Sequence, residues 1–364
     1  MIRLDHAHNP IDRRVVATPG GFAWWYGEVL DEDQTGVVVI WSFGLPFLPG
    51  YMSKVRKGHA ETPCERAAVN IVAYNRGVPD FYLLHEFRPG DVSWDGRGSW
   101  RFGNTHFESV DEGKSRRIDA TIDIPLTGGG RLEGRIRFGG PVPRGTQGRG
   151  SSTHLWTPLI APCFGTAMLR EDASNYQMKV SGRGYVDRNA SPQDLETLGI
   201  KRWFWAHALG KDTDRIAYAL WPESGGPPEC YGFEISQDGV VTTSQLELAT
   251  RGEHKRSYGM QSFRAYEFKQ HGLPFMKASL SDPVDDGPFY LRYLTRSEGY
   301  YGSAELIEPK RIDRGRHRAL VRMRVQSDIR RNSVWLPLFQ GARESHLRQL
   351  SRRFLPGRIN RLLP

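Results

Sequence analysis

Two pairs of residues in this chain have the types and spacing for acid–base work beside a carbocation. His154 and Trp156 lie in His154-Leu155-Trp156-Thr157-Pro158, and Tyr185 and Asp187 in Gly182-Arg183-Gly184-Tyr185-Val186-Asp187-Arg188-Asn189. Each pair is spaced i, i+2, which in an extended strand puts both side chains on one face. Two such strands facing one apolar interior would gather an acid, an imidazole and two aromatic rings. That set is able to protonate an alkene and tolerate the cation that forms. The residue types alone leave a plainer alternative. Asp187 next to Arg188-Asn189 has the look of an Asx turn capping backbone amides. His154, Trp156 and Tyr185 have the look of ordinary core. Glu28, one residue after Gly27 in an aromatic run, is a secondary acid candidate, and its plainer reading is an exposed charge at a strand end.

The elements that must position these residues are strands. The chain has 364 residues with 40 Gly and 23 Pro, a length that suggests two domains and a composition that favours short strands and many turns. After a lead-in over residues 1–20 comes the aromatic strand Phe22-Ala23-Trp24-Trp25-Tyr26-Gly27-Glu28-Val29. Val37 to Phe43 is a continuous apolar run, the pattern of a strand covered on both faces. Val55 to Glu65 is polar and is expected as an exposed loop, and further strands follow over Ala67 to Tyr74 and Asp80 to Phe87. Ile118 to Ile124 alternates strictly between apolar and polar, which fits a barrel or sandwich strand with one wet face. Gly139 to Ser152 has no periodicity and is expected as a long flexible loop beside the His154 strand. A second strand-rich region opens at Lys201-Arg202-Trp203-Phe204-Trp205-Ala206-His207-Ala208, so a domain boundary is placed near residue 198. The expected division is 21–198, carrying the site, 199–340, and a basic tail over 341–364.

Composition narrows the chemistry. Three widely spaced cysteines, Cys64, Cys163 and Cys230, form no CxxC pair and read as reduced, mostly buried thiols rather than a disulfide framework or zinc ribbon. No Walker A loop, Rossmann glycine fingerprint, HExxH or GxSxG elbow occurs, so no metal and no organic cofactor is expected. The N-terminus lacks the apolar core of a secretory signal, and no window reaches the ~20 apolar residues of a spanning helix, so a cytoplasmic, soluble or peripheral protein is expected. The net charge of +9 is sharpest in the tail, where Arg343, Arg348, Arg352, Arg353, Arg358 and Arg361 face the single acid Glu344. Leu347, Leu350 and Phe354 there fall at helical spacing. The tail reads either as a solvated helix packed on the body or as a basic amphipathic contact with an anionic bilayer. Nucleic acid is not expected, because no recognition motif accompanies the charge.

Taken in order, His154-Leu155-Trp156, Gly182 to Asn189, Trp203-Phe204-Trp205-Ala206, Phe22 to Tyr26 and Ala67-Ala68-Val69-Asn70-Ile71 resemble the carotenoid 1,2-hydratase (hydroxyneurosporene synthase) family. That family looks related to lipocalin-like proteins that include Diels–Alderases. The resemblance covers roughly residues 20 to 330. It implies an all-β fold of two lipocalin-like antiparallel barrels or sandwiches, to which the tail would add a short basic helix. It implies a cofactor-independent addition of water to the terminal 1,2 double bond of an acyclic carotenoid of the neurosporene or lycopene type. The family's proposed catalytic H-x-W and Y-x-D pairs fall here on His154, Trp156, Tyr185 and Asp187, and Trp24, Trp25, Tyr26, Trp203 and Trp205 are the rings expected against the substrate.

The chemistry fits these residues. A carboxyl buried among apolar groups keeps its proton near neutral pH, which makes Asp187 the acid. Trp156 and Tyr185 face the cation with their rings, worth roughly 2 kcal/mol when desolvated. His154 orients Asp187, or holds and deprotonates the attacking water. A cofactor-free cyclase or pericyclase on the same scaffold, and a non-catalytic carrier of apolar ligands, are the competing readings.

Overall fold

The strict alternation of Ile118 to Ile124 sets the pattern of the whole molecule: Ile118, Ala120, Ile122 and Ile124 are buried while Asp119, Thr121 and Asp123 point to the other side of the strand Ser115–Pro125. The computed structural model describes residues 2–314, apart from 49, 96–97, 127–129, 146–152, 173–175, 257–258, 281–282, 287–288 and 298–299, together with 340–341. The fold is almost entirely antiparallel β, a curled, lipocalin-like sheet with further sheets packed on it.

The first sheet runs, in spatial order, through Val78–Glu86, Ala67–Asn75, Gly36–Phe43, Phe22–Leu30, Tyr176–Ser191, Leu155–Glu171, Arg131–Pro141, Ser115–Pro125, Thr105–Glu112, Ser99–Phe102 and Val92–Trp94. The second runs through Val240–Gln245, Glu229–Ser236, Thr213–Pro222, Ile200–Leu209, Tyr300–Ile307 and Tyr290–Ser297. A third sheet is made by Glu247–Lys255, Gln261–Gln270 and Leu273–Ser279. The long strands of the first sheet end at Ser191, and the second sheet opens at Ile200.

Three cores result. The first lies inside the curl of the first sheet, the second between the first and second sheets, and the third between the second and third sheets. The strand Phe22–Leu30 serves two of them. Ala23, Trp25 and Val29 enter the first core, while Phe22, Trp24, Tyr26 and Leu30 enter the second. Burial on both faces is why this strand and Gly36–Phe43 are largely apolar rather than alternating, with Glu28 and Ser42 as buried polar exceptions.

Several expectations are corrected. The lead-in is more than a lead-in: Arg3–Leu4 pairs parallel with Leu155–Trp156, and Leu4 is buried. The stretch expected as a loop from Gly139 starts as strand, since Gly139–Pro141 still pair with Arg117, Arg116 and Ser115. Arg144–Gly145 then pairs parallel with Val240–Val241 of the second sheet. Glycine permits this path at position 140, where a Cβ would stand 2.2 Å from the Pro162 carbonyl oxygen. The helix Tyr51–Arg56 overlaps the segment expected as exposed loop, anchored by the Tyr51 hydroxyl donating to the Gly21 carbonyl at 2.6 Å. Cys64 is exposed, while Cys163 and Cys230 are buried. The rest of the glycine-rich stretch (146–152) and the arginine-rich tail with its expected helix lie outside the described residues.

Candidate active site

Residues two apart on adjacent strands build this site. In the sheet, Asp187 lies opposite Tyr26, Tyr185 opposite Glu28, and Asn189 opposite Trp24 on one side and Trp156 on the other. The shared face therefore presents Trp24, Tyr26 and Glu28 beside Tyr185, Asp187 and Asn189, with His154 and Trp156 on the next strand. The strand Leu155–Glu171 changes register against its neighbour between Pro158 and Ile160 and again between Ile160 and Cys163. Such irregularities re-aim side chains next to functional sites.

Both motif pairs converge. Trp156 Nε1 donates to Asp187 Oδ2 at 2.8 Å and to the Tyr185 hydroxyl oxygen at 3.1 Å. The Tyr185 hydroxyl donates to the same Asp187 Oδ2 at 2.8 Å. Asn189 Nδ2 donates to Asp187 Oδ1 at 3.3 Å, and Asn189 Oδ1 accepts from His154 Nε2 at 3.1 Å. With the amide oriented that way, His154 carries its proton on Nε2. All five side chains are buried, Asp187 at 3% exposure and Trp156, Tyr185 and His154 at 0%. Asp187 is thus mid-strand with side-chain partners, not a turn cap.

Burial sets the proton inventory. Desolvation pushes the Asp187 carboxyl up to about 7, although the bonds from Tyr185 and Trp156 and the nearby His207 pull it down; the Glu305 carboxylate adds to the rise. Desolvation also lowers His154 to about 4, against the bond to Asn189, so its imidazole is neutral at pH 7. Burial raises the Tyr185 phenol well above its ordinary range, with the Asp187 charge adding to it.

The second sheet closes the site. Trp203, Trp205 and His207 alternate along Ile200–Leu209, and Trp203 and Trp205 belong to the core between the sheets. The His154 ring lies 4.8 Å from Trp203, and Trp156 lies 4.4 Å from Phe233 and 5.7 Å from Tyr218. Tyr185 has Trp205 at 5.5 Å and stacks on His207 at 5.0 Å, with planes inclined by 16°. Of the rings expected against the substrate, the structure brings Trp24, Tyr26, Trp203 and Trp205 to this face. Trp25 points the other way, into the first core, where it packs on Trp100 and Phe43. It is excluded by the same alternation that selects its neighbours.

Glu28 is not the exposed strand-end charge that its plainer reading suggests, because it is fully buried. Its Oε2 accepts from His207 Nε2 at 2.6 Å, the Ser303 hydroxyl at 2.9 Å and the Tyr26 hydroxyl at 3.0 Å. Burial opposes its ionisation, but the bond and charge of His207, then Arg292 and Ser303, outweigh it and hold its carboxyl below the usual range. Arg292 is itself buried, donating to the hydroxyls of Tyr74 and Tyr290 and pairing with Glu305. Sequence reasoning missed His207, Asn189 and Ser303. The first two carried a signal, because Trp203, Trp205 and His207, like Tyr185, Asp187 and Asn189, continue one i, i+2 series. Ser303 carried none. Among the described residues, no group of three His, Cys, Asp or Glu side chains is placed to hold a metal ion.

The chain has relatives among known proteins. Residues 39–335 match the family described as carotenoid hydratase CrtC. An acyclic carotenoid 1,2-hydratase of Thiocapsa roseopersicina is 26% identical over 304 residues, covering 80% of this chain and 68% of the relative. A protein of Chlorobaculum tepidum named hydroxyneurosporene dehydrogenase is 23% identical, covering 87% and 88% respectively. In three dimensions the chain resembles an AttH protein of Nitrosomonas europaea at a TM-score of 0.53 and 12% identity, over 79% of this chain and 92% of the other.

Proposed function

The chain belongs to the carotenoid hydratase family of hydro-lyases, and from that premise we propose that it adds water to the terminal 1,2 double bond of an acyclic carotenoid, using Asp187 as the acid and no cofactor. The observation that carries this reading is the buried Asp187 carboxyl, bonded by Trp156, Tyr185 and Asn189 inside a lining of aromatic rings, where desolvation favours the protonated form. Trp156 and Tyr185 both donate to Oδ2, which leaves the proton of the acid to Oδ1. Transfer of that proton to the less substituted alkene carbon leaves a tertiary cation. Trp156 and Tyr185 meet the acid through their N–H and O–H edges, and Trp205 lies 5.5 Å from Tyr185, so aromatic rings lie beside the acid where positive charge would form, an attraction of roughly 2 kcal/mol for a well-placed desolvated ring. Water then closes on the cation. General acid catalysis of this kind contributes roughly 10²–10⁴-fold.

Incubation with lycopene in detergent, followed by mass analysis, tests the reaction. A gain of one water that vanishes in Asp187→Asn supports hydration through Asp187. An unchanged mass with a new ring would move the protein to a cyclase, and unchanged substrate to a carrier.

An apolar polyene resides in membranes, and one sheet face supports a peripheral position on a bilayer. Phe164 and Met168 are 65% and 58% exposed on the outer face of Leu155–Glu171. Arg135 and Lys179 flank Met168 across the sheet, while Arg183, which lies over the Phe164 ring at 5.2 Å, pairs its charge with the buried Asp214. Cations around exposed apolar side chains suit an anionic bilayer.

A further inference from the structure

Hydration requires two proton transfers, and the reading above uses only one acid. The water captured by the cation must lose a proton. The His154 imidazole donates through Nε2 to Asn189, and burial lowers its pKa to about 4. The site holds a second carboxyl whose surroundings are opposite to those of the first.

We propose that Glu28 is the base that receives the proton of the attacking water, held for this by His207, Ser303 and Tyr26. The inference rests on the hydratase reading and assigns its second step.

The geometry is that of a split acid–base pair. Glu28 lies opposite Tyr185, and Asp187 opposite Tyr26, on neighbouring antiparallel strands. Glu28 and Asp187 are therefore diagonal neighbours on one face, and such positions lie roughly 7–8 Å apart. The ring between them is Tyr185, which bonds to Asp187 and stacks on His207.

The bonding of Glu28 is lopsided. Oε2 takes all three donors, His207, Ser303 and Tyr26. Oε1 is buried and accepts no hydrogen bond from the described residues. A purely structural ion pair leaves this oxygen unexplained, because a buried acceptor without a donor is unfavourable by about 1–3 kcal/mol. A base for water needs this arrangement: one oxygen fixed, the other ready for an O–H donor. The environments also separate the two acids, with Asp187 pushed up and Glu28 held down. Two carboxyls driven apart in this way identify donor and acceptor.

The step balances. The O–H bond of Asp187 breaks as the π pair forms a C–H bond. The water oxygen forms the C–O bond at the tertiary carbon, one water O–H bond breaks, and its proton passes to Glu28 Oε1. Glu28 returns a proton through solvent to the Asp187 carboxylate, so the sum is alkene plus water giving alcohol.

The test separates protonation from capture. Wild type, Glu28→Gln and Asp187→Asn are incubated with lycopene in deuterated water, and both hydrated product and recovered lycopene are analysed by mass. Glu28→Gln should lose hydration by about a hundredfold or more. It should still place deuterium in recovered lycopene, because Asp187 continues to protonate the alkene and take a proton back. Asp187→Asn should lose both signals. Hydration preserved in Glu28→Gln overturns the assignment, as does loss of hydration and deuterium uptake together in the folded variant. Should Glu28→Gln not fold, Ser303→Ala, which removes one donor from Oε2, carries the same test. It should slow hydration while deuterium uptake persists, and parallel loss of both refutes the role. A wild type that yields neither hydrate nor deuterated lycopene defeats the hydratase reading itself, and the Glu28 step with it.

Discussion

His154 reaches Asp187 through the side-chain amide of Asn189, which accepts from His154 Nε2 at 3.1 Å and donates to Asp187 Oδ1 at 3.3 Å. The H-x-W and Y-x-D pairs are therefore joined by a fifth residue that belongs to neither. Asn189 donates to the Asp187 oxygen that Trp156 and Tyr185 do not engage, and the imidazole fixes the amide in turn.

Replacing Asn189 by Leu removes both bonds and leaves buried partners unmatched. A hydrogen bond between neutral groups contributes about 0.5–1.5 kcal/mol, so turnover should fall roughly two- to tenfold for each bond that positions the acid. KM for lycopene should change little, because the apolar lining is untouched. An unchanged rate constant in steady-state assays would remove Asn189 from the site's machinery.

Asp187 and His154 should oppose each other in the pH dependence of stability. The folded Asp187 binds its proton up to about pH 7, above the ordinary carboxylate value of 3.8, so its contribution to stability falls as pH rises through that window. The folded His154 releases its proton down to about 4, below the ordinary 6.5, so its contribution falls as pH drops from 6.5 toward 4. Between about pH 4 and 6.5 the two slopes, each near 1.4 kcal/mol per pH unit, largely cancel. Relative to wild type, Asp187→Asn should lose stability as pH drops through this window, and His154→Gln should lose it as pH rises. Urea unfolding at several pH values measures both; parallel curves for all three proteins would contradict the burial-driven shifts. The same Asp187 proton places the loss of hydration activity above pH 7.

The exposed pair Phe164 and Met168 is open to a separate test. Changing both to Ser removes apolar surface from an outer face without touching any core. Co-sedimentation with vesicles rich in phosphatidylserine should weaken severalfold, and hydration of lycopene in detergent should be retained. Unchanged sedimentation would show that this face is not the one that meets lipid.

The sequence by itself determined the alternation. Side chains two apart share a face, so Tyr185 with Asp187, His154 with Trp156, and the all-β character of the chain were legible from spacing and turn residues. The same rule, carried further, reaches His207 from Trp205, Asn189 from Asp187 and Glu28 from Tyr26, and it sends Trp25 away from Trp24. Periodicity within a strand says nothing about which strands become neighbours. That Phe22–Leu30 lies beside Tyr176–Ser191, and that Ser303 meets Glu28 from 275 residues away, came from tertiary packing alone. Nor could local sequence show that the site lies between two sheets rather than inside the first domain. Burial from both sides is what removes water from Asp187 and raises its pKa, whereas the donors from His207, Ser303 and Tyr26 keep the equally buried Glu28 ionised. Residue type made both carboxyls candidates, and only the fold shifts their pKa values in opposite directions.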